Sequence, residues 1–298
     1  MLVTTCAGSP SSSPPARVAS GLVLLSLKDG STKAQATIGS DSVAVIVSDD
    51  GSTAFVADSA PGEVYAVSLP ALRVTWRQHT GGSPFGLLLR GDRLLVSLFL
   101  GSAVVELDPA SGKQLASHKV AEQVGMLGID PSGRVMVASF LGEIDYLDGT
   151  SVRAGHGFAV TVAGSDVWTA DYERAELVRI RDHHIVGLPK AVFPFWLAPG
   201  QAGKILVAAE GGDEDKDEGA VFAFDPSTDT FVTLVTTRDP DQALLVGDTT
   251  FVAAHGDGTV LAVLADGAVK TWAGQLPAVA LAADPSLNLL VVVANNHE

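Results

Sequence analysis

Leu289-Leu290-Val291-Val292-Val293-Ala294-Asn295 stands near one end of the chain, and Gly21-Leu22-Val23-Leu24-Leu25-Ser26-Leu27 near the other. Both runs are short and rich in aliphatic and β-branched residues, as strands buried on both faces are. Each belongs to an incomplete unit. Pro277 to Glu298 carries the pattern of two strands. Gly21 to Gly39 carries two more: Leu22 to Leu27, a turn at Asp29-Gly30, and Ala34 to Ile38. Neither half buries its edges alone, but the two halves sum to one four-stranded unit.

Working outward, runs like Leu289–Asn295 recur at Thr53–Asp58, Arg93–Ser97, Arg134–Ser139, Asp166–Asp171, Lys204–Ala209 and Thr250–His255. With the last they make seven copies, roughly forty residues apart, the spacing of a repeat architecture. Each follows an apolar run and a polar turn, such as Asp130-Pro131-Ser132-Gly133 or Asp284-Pro285-Ser286. Each precedes an alternating run such as Glu63-Val64-Tyr65-Ala66-Val67, then a second turn and a more polar fourth run. Asp-Pro and Asp-Gly at these turns are hairpin chemistry. Six complete units run from about Asp41 to Gln275, and the two end segments complete the seventh. The sequence therefore predicts an all-β, seven-bladed β-propeller of four-stranded antiparallel blades. It is closed by a blade shared between the N- and C-terminal segments, which removes exposed strand edges. A two-domain β-sandwich leaves the matched half-units unexplained. The propeller is expected over residues 20–298 as a single, monomeric domain, behind a tail or linker at 1–19.

The composition narrows the partners. Acidic residues outnumber basic ones 34 to 19, for a net charge of -15, so the surface repels phosphate backbones and anionic lipids. Nucleic acid is excluded on this ground. Cys6 is the one cysteine, which rules out an internal disulfide and Cys-rich zinc motifs. No apolar run reaches the ~18 residues of a membrane-spanning helix. Met1 to Cys6 resembles the tail of a bacterial lipoprotein signal, although Thr5 and the missing basic and apolar regions depart from it. Two readings stay open: a protein lipidated at Cys6 and tethered outside the cytoplasmic membrane, or a disordered tail with an incidental cysteine. A cytoplasmic location is compatible with the second.

The repeat resembles the YVTN-type propellers and their gluconolactonase and streptogramin-lyase relatives. Ser83-Pro84-Phe85-Gly86-Leu87 is similar to their Pro-x-Gly-aliphatic start of a first strand. Pro194-Phe195-Trp196-Leu197 is a weaker copy, and Asp130-Pro131-Ser132-Gly133 resembles their turn before the second strand. The resemblance spans nearly all of residues 20–298 and speaks to fold far more than to function. It implies a divalent cation, Ca²⁺ or Mg²⁺, at the channel mouth, with Asp58, Asp171, Glu210, His255 and Asn296 as candidate ligands. The streptogramin-lyase likeness singles out His255 and Glu210 as a catalytic pair. The Glu-Gly-Pro that opens first strands in gluconolactonases is missing. The plainer alternative for these residues is solvated loop polarity.

No Gly-x-Ser-x-Gly, Walker, dinucleotide or His-Glu-x-x-His motif is present. Any site must therefore be assembled from several blades, on the face formed by the loops before first strands and after second strands. Phe85, Phe99, Phe140, Phe158, Tyr172, Phe195 and Trp196 belong to that face, and Phe85, Phe99, Phe140, Tyr172, Phe195 and Trp196 are candidate ligand-binding residues. Packing between blades is the competing explanation. His79, His118 and His156 read as equivalent repeat residues closing fourth strands at the rim. The loop 210–219 alternates Asp213, Asp215 and Asp217, but it lacks the glycine and the terminal glutamate of an EF-hand. It reads as an acidic flap. The leading expectation is a non-enzymatic propeller that binds a small molecule or a protein at the channel mouth. The alternative is a divalent-metal-dependent lactonase- or lyase-like hydrolase.

Overall fold

A computed structural model of the chain describes residues 20–190, 192–213 and 216–295. Cys6, Asn296 and the Glu214-Asp215 pair of the acidic loop lie outside the described residues. Seven four-stranded antiparallel sheets stand in a ring. The chain opens with β1 (Ser20–Ser26) and β2 (Thr32–Thr37). Blade 1 follows with β3 (Ser42–Val47), β4 (Thr53–Asp58), β5 (Glu63–Ser68) and β6 (Arg73–His79). Blade 2 holds β7 (Pro84–Arg90), β8 (Arg93–Leu98), β9 (Ala103–Leu107) and β10 (Gln114–Lys119). Blade 3 holds β11 (Val124–Ile129), β12 (Val135–Ser139), β13 (Glu143–Tyr146) and β14 (Ser151–Arg153). Blade 4 holds β15 (Val160–Ala163), β16 (Asp166–Asp171), β17 (Glu176–Arg179) and β18 (His184–Gly187). Blade 5 holds β19 (Phe193–Pro199), β20 (Ile205–Glu210), β21 (Glu218–Asp225) and β22 (Thr230–Arg238). Blade 6 holds β23 (Pro240–Val246), β24 (Thr249–Ala254), β25 (Thr259–Val263) and β26 (Val269–Gly274). Finally β27 (Ala278–Asp284) and β28 (Leu289–Asn295) pair with the start of the chain to make blade 7, in the order β2-β1-β28-β27. No helix of the described residues is long and apolar enough to cross a membrane.

Residue pattern follows position in the blade. Second and third strands lie in the middle of each sheet with neighbouring blades on both faces, so β28 and β1 are buried along their whole length. Their seven-residue register, from Ser20 opposite Asn295 to Ser26 opposite Leu289, closes the ring. Fourth strands form the outer rim and alternate exposed with half-buried residues, as in β2 and β10. First strands line the central channel, and β27 packs beside β3 to complete the circle.

The turns are built on one device. In Asp29-Gly30-Ser31, Asp50-Gly51-Ser52, Asp130-Pro131-Ser132, Asp148-Gly149-Thr150, Asp225-Pro226-Ser227 and Asp284-Pro285-Ser286, the carboxylate accepts the backbone N–H two residues on. The Ser or Thr hydroxyl there donates to the same oxygen. Hydroxyl donors hold Asp29 and Asp50 down to about 2. At Asp130 burial works the other way, and the bonds from Ser132 and Arg134 outweigh it, again giving about 2. Asp182 is held at about 2 by the Arg179 guanidinium. A carboxylate whose folded pKa lies below its unfolded value of ~3.9 stabilises the fold above that value, and the stability goes as pH falls toward the folded pKa. Asp58 has the opposite sign: its contribution is lost as pH rises. Eight aspartates are lowered against the raised Asp58, so the lowered set decides the direction. The melting temperature, followed by circular dichroism, is expected to fall steadily between pH 5 and pH 2. A flat profile over that range would contradict the turn chemistry.

One expectation is corrected. His79 closes β6 and His118 lies within β10, but His156 lies beyond β14, in the loop leading to blade 4. Its Nδ1 contacts the Phe140 carbonyl at 3.1 Å, and its ring covers Gly142. The sequence run Ala154-Gly155-His156-Gly157 lengthens that loop, so the three histidines are not equivalent.

Candidate functional site

The channel mouth is built by irregularities at the starts of the first strands. Six of the seven carry a register shift there. Such a bulge leaves a residue unpaired and re-aims its side chain. The residues skipped in the ladders include Val43, Phe85, Met126, Phe195, Asp241 and Val279. All six line the central cavity, whose volume is about 1230 Å³. In those six blades one repeat position thus decides what is shown to the channel. Below the mouth the walls are mostly aliphatic, with Val45, Leu87, Val160, Leu197 and Leu281 among them.

The mouth has two unlike sectors. Blades 2 to 5 supply an aromatic crescent centred on Phe158. Its ring lies 4.8 Å from Phe140 in a stacked arrangement, and 5.5, 5.9, 5.9 and 6.2 Å from Phe195, Phe85, Phe99 and Tyr172. Phe193 extends the row, 5.2 Å from Tyr172. Burial separates this group from the packing aromatics. Trp168, Phe222 and Phe224 are fully buried between blades, whereas every ring of the crescent is only half-buried. Two leucines extend the apolar surface as a lip: Leu100, after Phe99, is 70% exposed, and Leu141, after Phe140, is 52% exposed. Trp196 follows the bulged Phe195 and so faces the other way, packing into the cores flanking blade 5 with an edge on the channel.

Blades 5, 6, 7 and 1 supply a polar sector. Glu210, 5% exposed at the end of β20, accepts the Tyr172 hydroxyl at 2.8 Å and so joins the two sectors. In blade 6 the ligand atoms of Asp239, Asp241 and His255 lie within 4.8 Å of one another. His255 Nε2 lies 3.0 Å from the Asn295 carbonyl, which can only accept, so Nε2 carries a proton. Nδ1 lies 2.9 Å from an Asp239 oxygen. Two lone pairs at that distance repel unless a proton or another cation lies between them. From Asn295 the chain of bonds runs on: its Nδ2 donates to Asp41 at 3.0 Å and to the Ser42 carbonyl at 3.2 Å, fastening blade 7 to blade 1.

Of the five metal candidates named from sequence, the four described ones, Asp58, Asp171, Glu210 and His255, do not form a group with ligand geometry among themselves. Asp58 is buried and accepts the N–H groups of Ser40 and Asp41, holding the loop into blade 1. Gly39 makes room for it, because the Asp58 carboxylate occupies the place a Cβ would take. Burial raises the Asp58 pKa, and those backbone donors recover part of the shift. Asp171 accepts the Arg174 N–H and pairs with its guanidinium at 2.8 Å. Glu210 and His255 both line the cavity, but His255 groups with Asp239 and Asp241. Asn296 is outside the described residues. The two aspartates escaped the sequence reading, although Asp239-Pro240-Asp241 repeats the Ser83-Pro84-Phe85 pattern and places Asp241 where Phe85 stands.

The ring of seven four-stranded blades, with a mixed aromatic and acidic mouth, defines a seven-bladed β-propeller. Its architecture is shared with solved structures of the streptogramin-lyase and gluconolactonase type. A streptogramin B lyase superposes with a TM-score of 0.73 over 93% of this chain and 98% of its own, at 10% identity. A periplasmic gluconolactonase from Pseudomonas aeruginosa gives 0.65 over 85% and 94%, at 14% identity. The propeller domain of Cps50 (Swd1) from Myceliophteria thermophila gives 0.64 over 87% and 98%, at 12% identity. No protein-family model and no curated protein matches the sequence. At these identities the likeness establishes the fold alone.

Proposed function

We propose that this propeller is a binding protein that holds an apolar, aromatic small molecule at its channel mouth. The observation that carries the reading is the half-buried crescent around Phe158, opening onto a cavity of about 1230 Å³. Ligand sites are typically concave, mostly apolar, and set with a few placed polar groups. The mouth has that composition, with Glu210, Asp239, Asp241 and His255 as the polar groups. Equilibrium titration with the uncharged fluorophore Nile red tests it. A blue-shifted, saturable signal with one site per chain is expected, weakened by Phe158→Ala. Absence of saturable binding would overturn the reading.

The Asp239–Asp241–His255 group favours a second reading, a divalent-cation site serving a hydrolase or lyase like those named among the structural neighbours. Two carboxylates and one imidazole suit Mn²⁺ or Zn²⁺ better than the all-oxygen sets of Ca²⁺. A bound cation would supply Lewis acidity at the mouth. Asp239 and Asp241 would hold it, and the Asn295 carbonyl would keep the His255 ring oriented. A ligand specific to the native state raises the melting temperature. On this reading, millimolar Mn²⁺ raises it in the chelator-treated protein, and Asp241→Asn abolishes the rise. No shift with Mn²⁺ or Zn²⁺ would remove the metal-dependent reading.

A further inference from the structure

We infer that the ligand of the mouth is a lipophilic organic cation: an aromatic or otherwise apolar body carrying one positive charge. The inference rests on the mouth being a small-molecule site, as proposed above, and adds the ligand's charge. Among the described residues the cavity is lined by three carboxylates, Glu210, Asp239 and Asp241, and by no lysine or arginine. Glu210 and Asp239 are 5% and 7% exposed, so water screens them poorly. Within the cavity Glu210 accepts the Tyr172 hydroxyl, and an Asp239 oxygen faces the His255 ring. A ligand bearing positive charge is attracted by this sector, and an anion is repelled by it.

The aromatic sector makes the same choice. The faces of aromatic rings are electron-rich and attract cations, most strongly where water is displaced. Phe140, Phe158 and Phe195 leave part of their rings exposed at the mouth. Tyr172 belongs to both sectors, 6.1 and 6.2 Å from the Phe140 and Phe158 rings and 2.8 Å from Glu210. A ligand seated there lays its apolar body on the crescent and its charge between Tyr172 and Glu210. An inorganic ion uses only the polar sector, and a neutral aromatic only the apolar one. A lipophilic cation uses both. The net charge of -15 adds long-range attraction for such a molecule.

Tetraphenylphosphonium and tetraphenylborate test the inference, because they share shape and apolar surface and differ in the sign of one charge. Both are titrated by calorimetry in about 0.3 M salt, which screens the general surface field. Nile red is titrated in parallel. The phosphonium is expected to bind at least tenfold more tightly than the borate and to displace Nile red. Glu210→Gln or Asp241→Asn, checked for an unchanged circular dichroism spectrum, should cut the preference severalfold. Equal affinities, or tighter binding of the borate, would overturn the cation inference while leaving a site that takes Nile red. A preference unchanged in both variants would overturn its assignment to these carboxylates. If no probe binds, Nile red included, the small-molecule reading itself fails.

Discussion

Val292→Pro is expected to prevent the ring from closing, leaving a chain with no cooperative thermal transition or one lowered by ten degrees or more. Val292 is fully buried at the centre of β28. It faces Val23 of β1 on one side and Leu281 of β27 on the other, so it lies inside the sheet that joins the two ends of the chain. Proline there removes a ladder hydrogen bond and clashes with the neighbouring backbone, at a cost of about 3 kcal/mol or more. The buried valine packing against Leu25 and Leu290 is disturbed as well. Against a typical total of ~5–15 kcal/mol, such a loss is a large share of stability. Lys33→Pro in the same blade is the control. Lys33 is exposed in the outer strand β2, at the register shift between Leu24 and Leu25, and has no cross-strand partner there. Edge strands and bulges are where proline is tolerated in sheets. Calorimetric melting of the two variants should therefore differ sharply. Equal melting temperatures would mean that the ring does not depend on pairing β1 with β28.

Phe158→Ala should weaken Nile red binding tenfold or more while the fold survives. Phe158 is the hub of the crescent, within ring-contact distance of Phe85, Phe99, Phe140, Tyr172 and Phe195. Truncating it removes one aromatic face and lets its neighbours collapse toward the gap, so the ligand loses more than one contact. A loss of ~1.4 kcal/mol is already tenfold in affinity. Because Phe158 is half-buried, the cost to stability should stay below the ~3–5 kcal/mol of a fully buried phenylalanine. Phe231→Ala separates general destabilisation from loss of the site. Phe231 packs on Phe222 and Phe224, away from the mouth, and its loss should lower the melting temperature with little effect on Nile red. Equal weakening by both variants would indicate that binding merely tracks stability.

The fold was legible because it is repeated. Hairpin turns such as Asp50-Gly51-Ser52 and Asp284-Pro285-Ser286 recur with their strands, and the half-units at the two ends can be added without knowing any contact. Five aromatics of the mouth, Phe85, Phe99, Phe140, Tyr172 and Phe195, were legible for the same reason, since Phe99, Phe140 and Tyr172 each come just after a second strand. Trp196, read onto the same face, instead packs into the cores flanking blade 5. The acidic sector was harder to see. Polar residues ending second strands look alike in sequence, yet Asp58 and Asp171 serve their own loops, and among the described ones only His255 joins a group with ligand geometry. Its partner Asp241 owes its direction to a bulge, which the sequence marks only through the shared Pro-x pattern of Pro84-Phe85, Pro194-Phe195 and Pro240-Asp241. Phe193 was missed because the alternation of β19 does not show that its ring turns to Tyr172.

The most direct measurement is a crystal structure of the protein with Nile red bound. The dye should lie in the channel mouth, against Phe140, Phe158 and Phe195, with its polar end toward Glu210. Dye seated on the outer rim, or at the opposite end of the channel with the crescent untouched, would contradict the assignment of the mouth as the binding site.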